Sequence, residues 1–242
     1  MDVYKTDTEL NEVAIREDIL QKITSKEAIR WFQEKSFSYR KLMAYYRCAI
    51  MEVETKFNVL NEEFSLQYDR NPISSIKSRL KSFYSIQDKL QRNGFPLTVE
   101  SVEKNLHDVA GVRIICAFPD DVYMLAGALL KQDDITLVSK KDYIKHPKEN
   151  GYRSLHLIVE VPIFLEHNKK IMKVEIQLRT IAMDFWASLE HRLKYKKEIN
   201  CSQYLSEELR QCADTSAQLD LRMDKIRKML EETGEQEPKA SL

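Results

Sequence analysis

Two acidic residues occupy positions where a carboxylate could bind a metal ion or take up a proton. Asp108 lies just before the apolar run VRIICAF (112–118), and Glu175 lies within the alternating segment KVEIQLRT (173–180). Mg²⁺ takes oxygen ligands and completes its shell with phosphate oxygens, and a carboxylate can also accept a proton from a hydroxyl group. Each residue also has an ordinary explanation, because Asp108 could cap a turn and pair with Arg113, while Glu175 could face solvent on an antiparallel sheet.

Cationic and hydroxyl side chains are concentrated in the stretch NPISSIKSRLKSFYSIQDKLQRNGFP (71–96). A guanidinium group binds phosphate in a bidentate manner and an ammonium group acts as a point charge, so this composition suits a triphosphate. A solvated basic helix face is the alternative interpretation. The chain has neither a GxxxxGK[ST] nor a GxGxxG motif, which excludes a P-loop or Rossmann-type site. The side chains concerned are Lys77, Arg79, Lys81, Lys89, Arg92, Ser78, Ser82 and Ser85.

An aromatic ring and an imidazole come close together in the segment GYRSLHL (151–157). If this segment is a strand, its alternation places Tyr152, Ser154 and His156 on one face. An aromatic ring beside a hydrogen-bonding imidazole can stack on a base and read it. A lone tyrosine and histidine are more often ordinary packing, so this signal is weak by itself.

Only the polar turn EHNKK separates the predicted strands GYRSLHLIVEVPIF and KIMKVEIQLRT, which predicts an antiparallel hairpin. In that hairpin the face of Glu175, Gln177 and Arg179 lies beside the face of Tyr152 and His156. The polar groups of the hairpin, of the run after Asp108 and of the basic stretch are chemically complementary. This convergence favours one site over several unrelated surfaces.

Two further helices are predicted within the central part of the chain. Asp120 and Asp121 are expected to cap the helix VYMLAGALLKQ, and Thr180 is expected to start the helix IAMDFWASLEHRLKYK. Asp184 and His191 are seven residues apart in the second helix, which is about two turns, so they project from the same side. The apolar side of that helix carries Phe185, Leu189 and Leu193.

Long helices flank the central part on both sides. The apolar periodicity predicts helices over about 25–66 and about 203–232, with a core of about 70–195 between them and an arm of residues 1–24 before them. Both helices carry an apolar stripe that must be buried somewhere. The first stripe consists of Met43, Tyr46, Ile50, Val53, Phe57 and Leu60, and the second of Leu205, Leu209, Cys212, Ser216, Leu219, Met223, Ile226 and Leu230.

The composition predicts one globular unit without a global electrostatic field. The chain has 242 residues, of which 43% are hydrophobic, and its 38 Lys and Arg residues balance 38 Asp and Glu residues. The four cysteines form no CxxC pair, which indicates reduced thiols and a cytoplasmic protein. The sequence contains no signal peptide and no membrane span, so we expect no contact with a membrane.

Four motifs taken in order resemble one family. SIKSRLKSFYSIQDKL, HDVAGVRIICAF, NGYRSLHL and VEIQLRTIAMDFWASLEH resemble the synthetase domain of the RelA/SpoT homologues, the (p)ppGpp alarmone synthetases of the stringent response. The resemblance covers about residues 70–195 and leaves no room for the family's hydrolase and regulatory domains. It therefore implies a stand-alone small alarmone synthetase with a single synthetase domain at 25–242. The N-terminal extension favours the RelP-like branch over the RelQ-like branch.

The resemblance implies a fold, a reaction and partners. The fold is of the α+β class, with a mixed β-sheet of the nucleotidyltransferase-like synthetase type packed with helices. The enzyme would be a GTP pyrophosphokinase that uses Mg²⁺ and transfers the β,γ-pyrophosphate of ATP to the ribose 3′-OH of GDP or GTP. The resemblance also implies a homotetramer and leaves open regulation by (p)ppGpp or RNA. A nucleotidyltransferase with the same metal-binding carboxylates and a non-catalytic RNA-binding module are the alternatives.

The resemblance also assigns roles to individual residues. It implies that Arg79 and Arg113 sandwich adenine, and that Lys81, Ser85 and Lys89 contact the ATP phosphates. It implies that Asp108 and Glu175 bind Mg²⁺ and that Glu175 is also the base for the 3′-OH. Tyr152 matches the tyrosine that stacks on guanine, and the other acceptor-site groups are Lys148, His156, Gln177, Asp184 and His191. Some relatives have Asn where this chain has Asp184, a difference that bears on the preference for GDP or GTP.

Overall fold

The computed structural model describes residues 26–68, 70–195 and 203–234, so the predicted arm (1–24) lies outside the described residues. The chain divides into two compact units, residues 1–44 and residues 45–242, and the first helix spans both. All the strands belong to the second unit. The helices are α1 (Lys26–Tyr68), α2 (Phe83–Arg92), α3 (Val99–Asn105), α4 (Pro119–Leu130), α5 (Ile181–Tyr195) and α6 (Gln203–Gly234).

Five strands form one mixed sheet, which confirms the predicted α+β class. The strands are β1 (Ile73–Leu80), β2 (Ala110–Cys116), β3 (Thr136–Asp142), β4 (Leu155–Phe164) and β5 (Lys169–Thr180), and their order in the sheet is β1-β2-β5-β4-β3. β2 and β5 are parallel, whereas the other neighbouring pairs are antiparallel. The predicted hairpin is β4 and β5, closed by a hydrogen bond of 2.8 Å from Leu165 N–H to the Asn168 carbonyl.

The core is formed by apolar runs that the sequence predicted to be buried. In β2 every residue except Arg113 is buried, as expected for a strand with neighbours on both sides. The apolar stripe of α1 is also buried as predicted, with both Val53 and Phe57 fully inaccessible. Each such side chain contributes roughly 1.5–3 kcal/mol relative to an exposed one.

The basic stretch folds as a strand followed by a helix. Lys77 and Arg79 lie on β1, opposite Arg113 and Gly111 of β2, so the alternative of a basic helix face is wrong for these two residues. β1 is an edge strand whose residues are half-buried or exposed, and it therefore lacks the apolar alternation that marks a strand in a sequence. The side chain of Ser82 caps the helix that follows.

β4 is shorter at its start than predicted. The strand begins at Leu155, so Tyr152 and Ser154 precede it and do not share a strand face with His156. The reason is a turn in which Gly151 has a φ of 85°, a left-handed conformation that other residues rarely adopt. A Cβ atom at Gly151 would also lie 2.5 Å from the Cβ of Ala213 on α6.

The predicted cap of α4 needs a correction, whereas that of α5 is confirmed. The N-cap of α4 is Phe118, and Asp120 and Asp121 lie in the first turn; the Asp121 carboxylate accepts the Phe118 N–H at 3.1 Å. The Thr180 hydroxyl oxygen accepts a hydrogen bond from the N–H of Met183 at 3.2 Å, which is the usual contact of an N-cap residue.

The apolar stripe predicted for α6 is not buried by the described residues of the chain. Leu219 and Met223 are more than half exposed, whereas the buried positions of this helix are Ala213, Asp220 and Asp224. Asp220 accepts a hydrogen bond of 2.6 Å from the Thr180 hydroxyl, so a polar contact takes the place of the expected apolar seam. The apolar side of α5 is exposed as well, at Phe185, Leu189 and Leu193.

None of the described helices combines the length and the apolarity that a bilayer crossing requires. The described cysteines, Cys48, Cys116 and Cys212, carry free thiols.

Candidate active site

Glu175 lies between two cavities on the polar face of the sheet. The smaller cavity, of about 150 Å³, is lined by Arg79, Arg113 and Gln177 among others. The larger, of about 370 Å³, is lined by Asp108 and other polar groups, and Glu175 lines both. The sequence alternation of β5 explains this position, because Glu175 and Gln177 point away from the buried face of Val174, Ile176 and Leu178.

Sheet pairing brings the other predicted residues to the same face. Gly111 and Arg113 of β2 pair with Glu175 and Gln177 of β5, and His156 of β4 also pairs with Gln177. The parallel pair and the hairpin therefore both place site residues beside Glu175 and Gln177, which are neighbours on one face of β5. This convergence confirms that the predicted hairpin brings the imidazole beside the carboxylate.

A glycine allows Arg79 to reach the carboxylate. A Cβ atom at Gly111 would lie 3.3 Å from both Cγ and Nε of Arg79, so a side chain there would displace the arginine. Nη2 of Arg79 lies 3.5 Å from Oε2 of Glu175. Arg79 is more than half exposed, which leaves its planar guanidinium accessible from the smaller cavity.

Asp108 is paired with two lysines on one of its oxygens. Its Oδ2 lies 2.5 Å from Nζ of Lys81 and 2.8 Å from Nζ of Lys89, whereas its buried Oδ1 has no hydrogen-bond partner. Burial would raise the pKa of Asp108, but the hydrogen bonds and charges of the two lysines outweigh it and hold that pKa below its ordinary value. The carboxylate is therefore ionised and has one oxygen available as a ligand.

The Asp108 and Glu175 pair fits a magnesium ion. Both carboxylates line the larger cavity, and the unpartnered Oδ1 of Asp108 is the kind of hard oxygen donor that Mg²⁺ takes. Among the described residues, no three His, Cys, Asp or Glu side chains form a metal site by themselves. Mg²⁺ commonly binds one or two carboxylates and receives its remaining ligands from water and substrate phosphates, so two carboxylates are sufficient.

Glu175 is surrounded by hydrogen-bond donors and positive charge. Nε2 of Gln177 donates to its Oε2 at 3.1 Å, and Nδ1 of His156 lies 3.6 Å from its Oε1. Burial would raise the pKa of Glu175, and so would the charge of Asp108. His156 and Arg79 outweigh both effects, so that the pKa lies below its ordinary value. Glu175 is thus an ionised carboxylate able to accept a proton or bind a cation.

The predicted acceptor residues Lys148, Tyr152 and His156 form a cluster with Tyr143. The Tyr152 hydroxyl lies 2.7 Å from Nε2 of His156, and Nζ of Lys148 lies 4.9 Å from the centre of the Tyr152 ring. The ring of Tyr143 is edge-on to those of Tyr152 and His156. The cluster offers aromatic faces and a cation beside the larger cavity, the chemistry that a base and its phosphates require.

Asp184 is buried and paired with three cations. Its carboxylate lies 3.1 Å from Nζ of Lys77 and 3.3 Å from the guanidinium groups of both Arg113 and Arg179. These pairs tie the N-terminal turn of α5 to the sheet. The buried Nε of Arg113 has no hydrogen-bond partner, and Arg113 also lines the smaller cavity. A contact of Asp184 with guanine stays a prediction.

Two predicted residues lie farther out. Ser85 is exposed in the first turn of α2, where its hydroxyl lies 2.9 Å from that of Ser82. His191 is exposed on α5, two turns beyond the buried Asp184. Neither residue lines the two cavities described above. Their assigned contacts with ATP phosphates and with the acceptor stay predictions.

The structure also reveals site residues that sequence reasoning did not select. Arg179 is 4% exposed and contacts four polar side chains of the site, and Tyr143 lines the larger cavity. The alternation of KVEIQLRT already placed Arg179 on the polar face with Glu175 and Gln177. This alternation was therefore the signal that could have identified Arg179. Tyr143 lies in the turn after β3, and no pattern in the sequence marks it as a site residue.

Comparisons with known proteins identify the family. Residues 78–200 match the family model described as a region found in RelA/SpoT proteins. The GTP pyrophosphokinase YwaC of Bacillus subtilis is 44% identical over 190 residues, which is 78% of this chain and 90% of that protein. The GTP pyrophosphokinase YjbM of the same organism is 35% identical over 194 residues, or 80% of this chain and 90% of that protein.

Solved structures agree with the sequence relatives. The crystal structure of small alarmone synthetase 2 from Bacillus subtilis is 43% identical, with a TM-score of 0.72, and the match covers 79% of this chain and 98% of that one. The structure of small alarmone synthetase 1 from the same organism, bound to its product pppGpp, is 35% identical with a TM-score of 0.72, covering 79% and 97%. The sheet and cavities described above therefore occur in a chain that belongs to the RelA/SpoT family, with small alarmone synthetases among its relatives.

Proposed function

We propose that this chain is a (p)ppGpp synthetase that transfers the β,γ-pyrophosphate of ATP to the ribose 3′-OH of GDP or GTP. The names of its relatives, GTP pyrophosphokinases and small alarmone synthetases, support this activity. The single observation that carries it in this chain is the position of Glu175 on the border of two cavities. A base placed between a donor and an acceptor can take the hydroxyl proton while the two substrates are held in line.

The donor nucleotide is proposed to enter the smaller cavity. Arg79 and Arg113 present guanidinium planes there, and such planes stack on aromatic rings such as adenine. The ATP phosphates then extend past Glu175 towards Lys81 and Lys89, which are already gathered around Asp108. Lysine acts on phosphate as a compact charge and can exchange one anionic partner for another.

The acceptor is proposed to bind in the larger cavity. Tyr152 stacks on guanine, while Lys148 and His156 lie beside it for the phosphates and the ribose. The 3′ oxygen then forms a bond to the β-phosphorus of ATP as its proton passes to Glu175. The bond from that phosphorus to the oxygen bridging the α- and β-phosphates breaks, and AMP leaves with the bonding electrons. Protein groups supply mainly position and charge in such transfers.

Mg²⁺ is the proposed cofactor, held by Asp108 and Glu175. When bound, it would neutralise charge that develops on the transferred phosphates. The unpartnered Oδ1 of Asp108 supports this assignment. The lysines on the other oxygen keep Asp108 ionised, as a metal ligand must be.

The test is product analysis with ATP carrying the label on its γ-phosphate. The full chain is incubated with the labelled ATP, Mg²⁺ and either GDP or GTP, and the nucleotides are separated. We expect label in the guanosine product and release of unlabelled AMP. Transfer of label from α-labelled ATP instead would indicate a nucleotidyltransferase. RNA affinity that falls steeply with salt and persists in Glu175→Gln, without nucleotide turnover, would indicate an RNA-binding module.

A homotetramer is the proposed assembly. The apolar sides of α5 and α6 are exposed in the described chain, and exposed apolar surface of this extent is typical of protein interfaces. Sedimentation or light scattering on the purified chain checks this, since a monomer at micromolar concentration would contradict it. The exposed apolar residues include Phe185, Leu189, Leu193, Leu219, Leu221 and Met223.

The cytoplasm is the proposed compartment. The free thiols of Cys48, Cys116 and Cys212 support it, because reduced cysteines persist there. Regulation by (p)ppGpp or RNA stays an expectation of the family resemblance.

A further inference from the structure

Arg179 is the most highly connected buried side chain of the site. It is 4% exposed, and Nη2 donates to Oη of Tyr152 at 2.5 Å and to Oε1 of Gln177 at 2.9 Å. Nη1 donates to Asp184 at 3.3 Å, and Nε donates to Oγ of Ser154 at 3.4 Å. A guanidinium has only donors and stays charged in proteins, so every one of these contacts has a fixed direction.

This direction determines which nitrogen of His156 carries the proton. Because Tyr152 Oη accepts from Arg179, its own hydrogen is available for Nε2 of His156, 2.7 Å away. Nε2 is then the acceptor, and the neutral imidazole carries its proton on Nδ1, 3.6 Å from Oε1 of Glu175. The other tautomer would point the Nδ1 lone pair at a carboxylate and leave the phenol hydrogen without its partner, so it is disfavoured.

The same guanidinium determines the orientation of the Gln177 amide. Nη2 of Arg179 donates to Oε1 of Gln177, which turns Nε2 of the amide towards Oε2 of Glu175 at 3.1 Å. A flipped amide would place its NH₂ group against the guanidinium and its oxygen against the carboxylate. Both contacts would be repulsive, so Arg179 holds one orientation.

We propose that Arg179 is a positioning residue for the base: it orients the side chains of His156 and Gln177 so that Nε2 of Gln177 donates to Oε2 of Glu175 and Nδ1–H of His156 faces Oε1. The carboxylate is thereby held in one orientation at the border of the two cavities, where it can meet the 3′-OH. Asp184 in turn accepts a hydrogen bond from Nη1 of Arg179. The role rests on the proposed function, because Glu175 acts as a base only in that reaction.

The first test is the tautomer of His156 in the wild-type chain, measured by ¹⁵N NMR of histidine-labelled protein. The resonances are assigned by comparison with His156→Gln. We expect protonated Nδ1 and unprotonated Nε2 above the range in which the ring becomes charged. Protonated Nε2 in the neutral ring would overturn the proposal. This measurement needs no substrate, so it is independent of whether the chain transfers pyrophosphate.

The second test compares kinetics of Arg179→Met and Arg179→Lys. We expect kcat of Arg179→Met to fall roughly 10- to 100-fold, the size expected when a reacting group is misplaced by about 1 Å. In ¹⁵N spectra of Arg179→Met the Nε2-protonated form of neutral His156 should appear, because Tyr152 Oη no longer accepts from Arg179 and can accept from the imidazole instead. Arg179→Lys should recover part of kcat, since one ammonium donates but lacks the fork that reaches both partners.

Arg70→Met is the matched control. Arg70 is half-buried and pairs with the buried Asp121 at 2.7 Å, so its loss removes an arginine and destabilises the fold away from the cavities. Both methionine variants should lower Tm, but only Arg179→Met should change the tautomer of His156. An unchanged tautomer in folded Arg179→Met would overturn the positioning role while leaving pyrophosphate transfer intact.

Tyr152→Phe provides a second variant should Arg179→Met fail to fold. It removes the phenol hydrogen that goes to His156 and keeps the ring and Arg179. We expect the Nε2-protonated form of His156 to appear, because no hydroxyl then donates to Nε2. A tautomer identical to that of the wild type would contradict the proposed polarity of the network.

Discussion

Asp108 and Glu175 border the same cavity, but their neighbours hold them in different ways. Asp108 is paired with the flexible ammonium groups of Lys81 and Lys89, which are the proposed ligands of the ATP phosphates. Glu175 accepts a hydrogen bond from Gln177, which accepts one from the buried Arg179, and it also lies 3.6 Å from Nδ1 of His156. Burial alone would raise the pKa of both carboxylates, and in both cases their neighbours reverse the effect.

The difference indicates two kinds of preorganisation. The partners of Asp108 are charges that a triphosphate can attract to itself, so this carboxylate can change partners when substrate and metal bind. Two partners of Glu175 are oriented groups on its own strand β5 and on the neighbouring strand β4, Gln177 and His156, which need not move. The Asp108 side therefore suits the proposed binding of ATP and metal, and the Glu175 side suits the proposed proton transfer.

Replacing Glu175 by Gln should have the largest effect. We expect synthesis to fall by roughly 10²- to 10⁴-fold, the usual contribution of a general base, while ATP binding persists. Turnover is measured by chromatography and ATP affinity by calorimetry. Glu160→Gln, on β4 of the same sheet, is the matched control and should retain activity. Wild-type turnover in Glu175→Gln would remove Glu175 from the mechanism.

Replacing Asp108 by Asn should have the next largest effect. We expect a loss of roughly 10²-fold in kcat that excess Mg²⁺ partly restores, because an amide is a weaker metal ligand than a carboxylate. A Mg²⁺ titration of the rate measures this. Asp134→Asn breaks a comparable pair with Lys56, at 2.6 Å, and should leave the Mg²⁺ dependence unchanged. An unchanged dependence in Asp108→Asn would contradict the proposed metal site.

Replacing Tyr152 by Ala should act mainly on the acceptor. Base stacking on an aromatic side chain contributes about 1–3 kcal/mol, so we expect KM for GDP or GTP to rise about 5- to 150-fold while ATP affinity changes little. Tyr152→Phe retains the ring and should retain the acceptor KM. Equal effects of Tyr152→Ala on both substrates would contradict the stacking role.

Replacing Asp184 by Asn should have a smaller effect on substrate choice. The change removes one negative charge from among Lys77, Arg113 and Arg179, so we expect the ratio of GTP to GDP use to change about two- to fivefold. Competition assays with both acceptors measure the ratio. The control is Asp214→Asn, which removes the carboxylate that pairs with Arg153 in the segment before β4. An unchanged ratio would show that Asp184 does not affect the choice between GDP and GTP.

The smallest expected effect is on stability in acid. The folded pKa of Asp108 lies below its ordinary value of 3.8, so its stabilising contribution is complete above the unfolded pKa and is lost as pH falls through the folded pKa. The difference in Tm between the wild type and Asp108→Asn should therefore stay constant down to about pH 5 and shrink at lower pH, as the carboxylate becomes protonated. A difference that grows on acidification would contradict the lowered pKa.

Local patterns in the sequence predicted most of the individual elements. The alternation of KVEIQLRT predicted β5 and its polar face, and the short turn after Phe164 predicted the hairpin. These predictions succeeded because a strand with one buried face repeats every two residues. β1 escaped prediction because its cations face a cavity and the strand has a neighbour on one side only.

Contacts between distant segments escaped prediction for a different reason. The three cations around Asp184 come from β1, β2 and β5, and no spacing within the sequence relates them. The apolar stripe of α6 was predicted correctly as a pattern, but the described residues of the chain do not cover it, because periodicity does not state which surface buries a stripe.

The sequence by itself determined the kinds of groups present, the strands and helices that carry them and, through four ordered motifs, the family. Those features depend on residues near one another in the chain. Only the tertiary structure decided that Glu175 borders two cavities, that Asp108 keeps an unpartnered oxygen and that one buried guanidinium orients two donors. Such contacts depend on strand register and side-chain direction, which are set by packing of the whole sheet.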